Sequence, residues 1–227
     1  MRQYGDILIY FLLSTACILG AVNPQWSELH YWTKPALTGF LMVLVLASGN
    51  WRKSSLKVFT LLALTFSMTG DVLLMMEDEA SYFLFGLGAF LLAHIFYITV
   101  FILTPRLPLE VPFLKRNPWS IFLTAGYIGW FFSELKEGAG PMAGPVLFYA
   151  ITIGIMLLTA LNREKHVSPK SFQLVLIGAL LFITSDSLLA WNRFIDELPN
   201  SPIWILGTYA WAQFLIVRGL LKGERKL

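Results

Sequence analysis

Asp71 and Asp186 stand inside apolar stretches long enough to cross a bilayer, VFTLLALTFSMTGDVLLMM and QLVLIGALLFITSDSLLAW. A carboxyl group in hydrocarbon costs on the order of several kcal/mol and is usually retained where it has a task. The wording around the two is alike: Thr69-Gly70-Asp71-Val72-Leu73-Leu74 and Thr184-Ser185-Asp186-Ser187-Leu188-Leu189. A chain that twice places T-x-D-x-L-L in a membrane-length segment builds a site between helices. Two carboxyls in such a site suit either acid–base catalysis or the binding and coupling of ions.

Other polar side chains fall at similar depth. A rise of 1.5 Å per residue puts Asp71 about 8 Å, Asp186 about 9 Å and Tyr209 about 10 Å below the non-cytoplasmic ends of their spans. Lys34 begins a span on that side, Arg193 ends one, and Gln213 lies one turn deeper than Tyr209. His94 sits near mid-membrane. Asp186 and Arg193, Tyr209 and Gln213, Ser67 and Asp71, and His94 and Tyr97 are spaced to share helix faces and point at a common cavity. Plainer roles compete: ion pairs of Asp71 with Lys34 and of Asp186 with Arg193, interhelical hydrogen bonds for His94, Tyr209 and Gln213, and snorkelling for Arg193.

Several chemistries are excluded. Of His30, His94 and His166 only His94 is deep, too few nitrogen ligands for a histidine-rich zinc centre; no metal is expected, a carboxylate-bound one being the alternative that this leaves open. H-E-x-x-H, P-loop and G-x-S-x-G motifs are absent. No histidine is positioned to activate Ser185 or Ser187.

The elements that carry these residues are membrane helices. The chain has 227 residues, 56% hydrophobic and only 14% charged, against about 25% charged in soluble domains. Its apolar runs are filled on all faces rather than striped. We therefore expect an all-α polytopic membrane helical bundle, one domain over 1–227. Eight spans are expected near 6–22, 33–48, 57–76, 82–103, 119–133, 141–161, 173–192 and 202–221. The first is read as a retained span rather than a cleaved leader, since Asp6 weakens the basic region such a leader needs. Trp26, Tyr31, Trp32, Trp191 and Trp204 read as an interfacial belt. The lone Cys17 permits no intrachain disulfide.

Of the 17 Lys and Arg residues, 14 fall on one side and only Lys34, Lys136 and Arg193 on the other. The positive-inside rule then predicts both termini cytoplasmic. Basic residues spread over separate short loops make no nucleic-acid patch, so the bilayer is the expected partner and nucleic acid is not. A bacterial inner membrane and an endoplasmic reticulum fit equally well, and the oligomeric state is left open.

The order Lys34-Pro35, Gly70-Asp71, Gly88 to His94-x-x-Tyr97, Ser185-Asp186, Asn192-x-Phe194 and Tyr209-x-x-Ala212-Gln213 resembles the YhhN family of transmembrane proteins, whose animal members include the lysoplasmalogenases. The likeness runs from the second span to the eighth. It implies hydrolysis of the vinyl ether of a lysoplasmalogen, giving a fatty aldehyde and a glycerophospho-ethanolamine or -choline. An enol ether hydrolyses by protonation at carbon, and water captures the oxocarbenium ion. That needs one carboxylic acid and profits from one carboxylate, as in glycosidases. No redox cofactor is needed. Burial favours the neutral carboxyl and a nearby cation the ionised one, so two aspartates can be split in role.

On this reading Asp71 and Asp186 are the catalytic pair. Arg193 shares a face with Asp186 and would keep it ionised, leaving Asp71 as the acid. Lys34, His94, Asn192, Arg193, Tyr209 and Gln213 form the substrate site for a lysophospholipid. Lys34 and Arg193 would rim the mouth and hold its phosphate. The rival is a proton-coupled transporter of a small or lipid-like solute. The shared orientation of the two aspartate spans suggests a parallel four-plus-four repeat.

Overall fold

The computed structural model describes residues 2–49, 51, 54–76, 80–104 and 111–223. Among them nine α-helices and two short 3-10 turns form, with no strand. The helices are α1 (Arg2–Val22), α2 (Ser27–Ala47), α3 (Ser54–Leu74), α4 (Ala80–Leu103), the single turn α5 (Phe113–Arg116), α6 (Trp119–Ala139), α7 (Ala143–Leu161), α8 (Pro169–Phe194) and α9 (Ser201–Gly223). Eight of the nine are 19 to 26 residues long, about 30 Å or more of helix.

Six stretches are long and apolar enough to cross a bilayer, and one of them, Trp119–Leu161, contains both α6 and α7. Helix α2 falls short because Glu28, His30 and Lys34 crowd its first half. Large apolar side chains nonetheless cover the outside, Trp32, Phe85, Ile102, Phe122 and Phe148 each more than half exposed. A surface of that kind is covered by lipid rather than water.

Two expectations need correction. The segment 134–139, left between the expected spans 119–133 and 141–161, is the last turns of α6, and Gly140 begins a 3-10 turn. Phe131, Leu135 and Ala139 recur every four residues on its buried face, while Ser133, Glu134, Lys136 and Glu137 point away from the bundle. Arg163, counted among the loop charges, is fully buried. Its Nη2 donates to Ser171 Oγ at 3.1 Å, and its guanidinium lies 5.3 Å from the centre of the Phe101 ring. It ties α4, α7 and α8 together at one end of the bundle. Arg52, Lys53, Glu77, Asp78, Glu79, Arg106, Arg225 and Lys226, which contribute to the orientation argument, lie outside the described residues.

The long helices pair as hairpins: α1 with α2, α3 with α4, α6 with α7 and α8 with α9. A shift of 115 residues carries the first three helices close to α6, α7 and α8, while α9 begins six residues beyond where α4 would be carried. Helix α8 begins 115 residues after α3, and α6 and α7 begin within two residues of where α1 and α2 would be carried. Contacts repeat as well as boundaries. Phe90 fills the space beside Gly70, where an added Cβ would lie 2.5 Å from its ring. At the shifted positions Ser185 donates to the carbonyl of Ile205 at 2.9 Å. The two halves thus share helix order and hairpin pairing.

The core is unevenly shared. The largest buried cluster, with Tyr97, Phe101, Met156, Phe182 and Ile216, joins α4, α7, α8 and α9. A second, with Tyr10, Leu37, Leu41 and Phe214, seats α1 and α2 on α9. Helix α6 reaches only a small third cluster, through Phe131, Leu135 and Ala139 near its C-terminal end.

Candidate active site

The site lies at the end of the bundle where α2 and α9 begin and α3 and α8 finish. Asp71 comes from the last turn of α3 and is 1% exposed. Its Oδ2 accepts from Tyr209 Oη on α9 at 2.6 Å and from Thr38 Oγ1 on α2 at 3.1 Å. Behind Tyr209, Gln213 Nε2 donates to Tyr209 Oη at 3.3 Å and to Ser67 Oγ at 2.9 Å, while Tyr97 Oη donates to Gln213 Oε1 at 2.5 Å. A hydrogen-bonded chain thus runs from α4 through α9 to α3. Buried polar groups of this kind hold position only when each has a partner.

Asp186 is held differently. Its Oδ2 accepts from Tyr149 Oη on α7 at 2.5 Å and lies 3.8 Å from His94 Nε2 on α4. Its side chain is 15% exposed, whereas His94 is fully enclosed between Phe182 and Tyr149, with ring centres 4.6 and 5.2 Å away. Neither ring nitrogen of His94 has a hydrogen-bond partner among the described residues. The 115-residue shift relates the two arrangements. Asp71 and Asp186 correspond, as do His94 and Tyr209, and Lys34 and Tyr149. Each aspartate is met by the corresponding helix of the other half: Tyr209 reaches Asp71 and His94 approaches Asp186.

Both aspartates line one cavity of about 510 Å³. Lys34, Asn192 and Tyr209 line it too, together with His30 and Ser27 toward the helix ends. Lys34 is 8% exposed, and among the described residues no carboxylate lies within ion-pair distance of its ammonium. The structural Asp71–Lys34 ion pair is therefore not formed. Asn192 also accepts from the Leu198 amide at 2.8 Å, fixing the turn between α8 and α9.

His94 and Gln213, expected at the floor of the cavity, stand behind its wall. Arg193 departs furthest from expectation. It lies outside the cavity, with its guanidinium 5.0 Å from the centre of the Phe83 ring and no ion pair to Asp186. The aromatic face gives the cation a partner on the outer side of α8.

Asp186 has a second exposure. A groove of about 390 Å³ runs between α6, α7 and α8, walled mainly by apolar side chains such as Leu123, Ile128, Ile153 and Leu180. Asp186 and Tyr149 stand at its polar end, where Tyr127 Oη and Ser187 Oγ lie 2.7 Å apart. Asp186 alone lines both this groove and the polar cavity.

Sequence reasoning missed Thr38, His30 and Tyr149. The first two continue the four-residue stripe of Lys34 along α2 and were detectable. Tyr149 has no such signal, but it stands 115 residues after Lys34. Among the described residues no three His, Cys, Asp or Glu side chains cluster in a way that could hold a metal.

No solved structure matches the chain. A lysoplasmalogenase of Mycobacterium bovis is 33% identical over 214 residues, covering 88% of this chain and 76% of that protein. Lysoplasmalogenase TMEM86B of Mus musculus is 28% identical, covering 94% and 82%. Lysoplasmalogenase TMEM86A of Homo sapiens is 28% identical over 226 residues, covering 95% and 89%. Residues 29–220 match the YhhN family, and that stretch contains both aspartates, most of the cavity lining and nearly all of the helices from α2 to α9: the chain belongs to the YhhN family.

Proposed function

We propose that the protein is an integral-membrane lysoplasmalogenase, cleaving the vinyl ether of a lysoplasmalogen to a fatty aldehyde and a glycerophospho-ethanolamine or -choline. Relatives from bacteria and mammals carry that name. The observation that carries the reading is the position of Asp186, in the wall common to a polar cavity and an apolar groove. A vinyl ether is the bond that joins a polar glycerol headgroup to a hydrocarbon chain. A substrate laid across that wall puts its scissile bond at Asp186.

The hydrogen bonds favour roles opposite to those expected from sequence. Asp71 accepts from two hydroxyls, which suits a carboxylate. Arg193, which was to keep Asp186 ionised, is turned away. Asp186 therefore acts as the acid, giving its proton to the vinyl carbon on the chain side. Water adds to the oxocarbenium carbon and passes a proton to Asp71. As the hemiacetal collapses, its hydroxyl proton returns to Asp186 and Asp71 protonates the departing glycerol oxygen. One water is consumed and both aspartates are reset. Tyr149 and Tyr209 hold the two carboxyls, and Lys34 offers a cation to the phosphate. Aldehyde release by purified protein in detergent tests the activity, and full activity in both Asp71→Asn and Asp186→Asn overturns the assignment.

Proton-coupled transport draws support from the likeness of the two halves, a feature of many transporters. Turnover in detergent without a gradient favours the enzyme. Gradient-driven uptake in liposomes without chemical change favours the rival. We further propose that all eight long helices cross the bilayer with both termini cytoplasmic, in a bacterial inner membrane or an endoplasmic reticulum. A reporter active only in the cytoplasm should be active when fused to either end; one silent, well-expressed fusion overturns this topology.

A further inference from the structure

The groove between α6, α7 and α8 has an unusual pattern of closure. At its outer end α6 and α8 touch backbone to backbone. Gly138 lies against Phe194, so close that an added Cβ would fall 1.7 Å from the Phe194 carbonyl oxygen. Phe194 is itself fixed edge-on to Phe83, with ring centres 5.6 Å apart. Along the back α6 packs on α7 through side chains, Ile128 Cδ1 lying 2.5 Å from where a Cβ at Gly154 would fall. Toward the inner end, α6 and α8 part. Leu123 on one flank is 64% exposed and Leu180 on the other 47%. The groove is closed by the α6–α8 contact at one end and open between Leu123 and Leu180 at the other.

The other half shows what a closed version looks like. In the first half, α1 is pinned to α9: Tyr10 Oη donates to the Ala210 carbonyl at 2.9 Å, and Arg218 pairs with Asp6 at 3.0 Å. Ala125 stands on α6 where the shift carries Tyr10, and it is exposed. Ile95 stands on α4 where Ala210 would be carried back, and it is 40% exposed. The contact that shuts the first half is missing from the second.

We propose that this groove takes the hydrocarbon chain of a single-chain ether lipid sideways from the bilayer, between α6 and α8, while the headgroup occupies the polar cavity. The proposal rests on the lysoplasmalogenase reading for the identity of the lipid. The chain lies along α7 from Tyr149 toward Leu157, eight residues or about 12 Å, and a longer chain continues into the bilayer between Leu123 and Leu180.

A non-hydrolysable 1-O-alkyl lysophosphatidylethanolamine with a diazirine at mid-chain is the probe, used on the full chain in liposomes. Photolysis should label peptides from the inner halves of α6 and α7. Thr184→Trp, a change at an exposed groove position, should cut that labelling about tenfold, roughly what losing two buried methylene contacts amounts to. Thr69→Trp, the corresponding exposed position in the first half, should leave it unchanged. The same Thr184→Trp protein should retain turnover of a short-chain, water-soluble vinyl-ether glycerophosphate while losing turnover of the long-chain substrate. Label spread over all lipid-facing helices, or labelling and chain-length preference untouched by Thr184→Trp, overturns the groove. Wild-type protein that labels in the groove but releases no aldehyde upholds the chain site and overturns hydrolysis instead.

Discussion

The two halves of the bundle hold one aspartate each, yet they treat it differently. In the first half Asp71 is 1% exposed and accepts from two hydroxyls, one from its own half and one from the other. In the second half Asp186 keeps 15% of its side chain exposed, has one short hydrogen bond, and faces an apolar groove as well as the polar cavity. The first half is closed by α1 against α9; the second is left open where α6 stands away from α4. The two carboxyls stand at equivalent places in the two halves, and the packing of one outer helix makes their surroundings unequal. Asymmetry of environment is what separates an acid from a base when the side chains are identical.

The largest expected effect probes that inequality. Asp186→Asn should lower the rate of aldehyde release by about 10²–10⁴, the usual contribution of a general acid. Asp71→Asn should cost less, on the order of 10², the low end for a proton-transferring group, because water can replace it as proton acceptor. The reverse order, measured by single-turnover kinetics, would show that the more enclosed aspartate is the acid.

The tyrosines sharpen the comparison. Tyr149→Phe removes the one short hydrogen bond to Asp186, and Tyr209→Phe removes one of two to Asp71. Tyr149 donates to the carboxylate that forms as Asp186 gives up its proton, and a hydrogen bond to a charged group is worth about 1.5–3 kcal/mol, so Tyr149→Phe should slow turnover roughly ten- to a hundredfold by that measure. Tyr209→Phe should slow it less, because Thr38 remains. Equal losses would mean that the two carboxyls depend equally on their partners.

The smallest effect separates the two cations once assigned to the phosphate. Lys34→Gln should raise KM about tenfold with kcat little changed, the pattern of lost ground-state binding. Arg193→Gln should leave both constants within twofold or so, as surface changes away from a site usually do. A large KM effect at Arg193 would place the headgroup over the Phe83 side of α8.

Much of this was legible before the fold. Rise per residue alone placed Lys34, Asp71, Asp186 and Tyr209 in one layer, and all four line the cavity. Helical spacing also foresaw that Tyr209 and Gln213 act together. It failed at Arg193, because seven residues return a side chain only near the same face and say nothing of the ring waiting on a neighbouring helix. It failed for the end of α6, where polar residues on the exposed face disguised a continuing buried stripe of Phe131, Leu135 and Ala139. Tyr149 was hidden for another reason. Its meaning depends on the likeness of the two halves, and one matching window around each aspartate is too short to reveal a shift that helix boundaries make plain.

The backbone contact at Gly138 has a consequence for where the products go. On the proposed reading it closes the chain groove at one end, so that the headgroup cavity on one side of Asp186 faces the helix ends and the groove on the other faces the acyl chains. A bond cut at that divide yields one fragment soluble in water and one soluble in oil, each already on its own side. Neither has to pass the other to leave, and neither remains beside its former partner to rejoin it. The membrane then acts as an extraction funnel, drawing the two fragments apart as fast as they form.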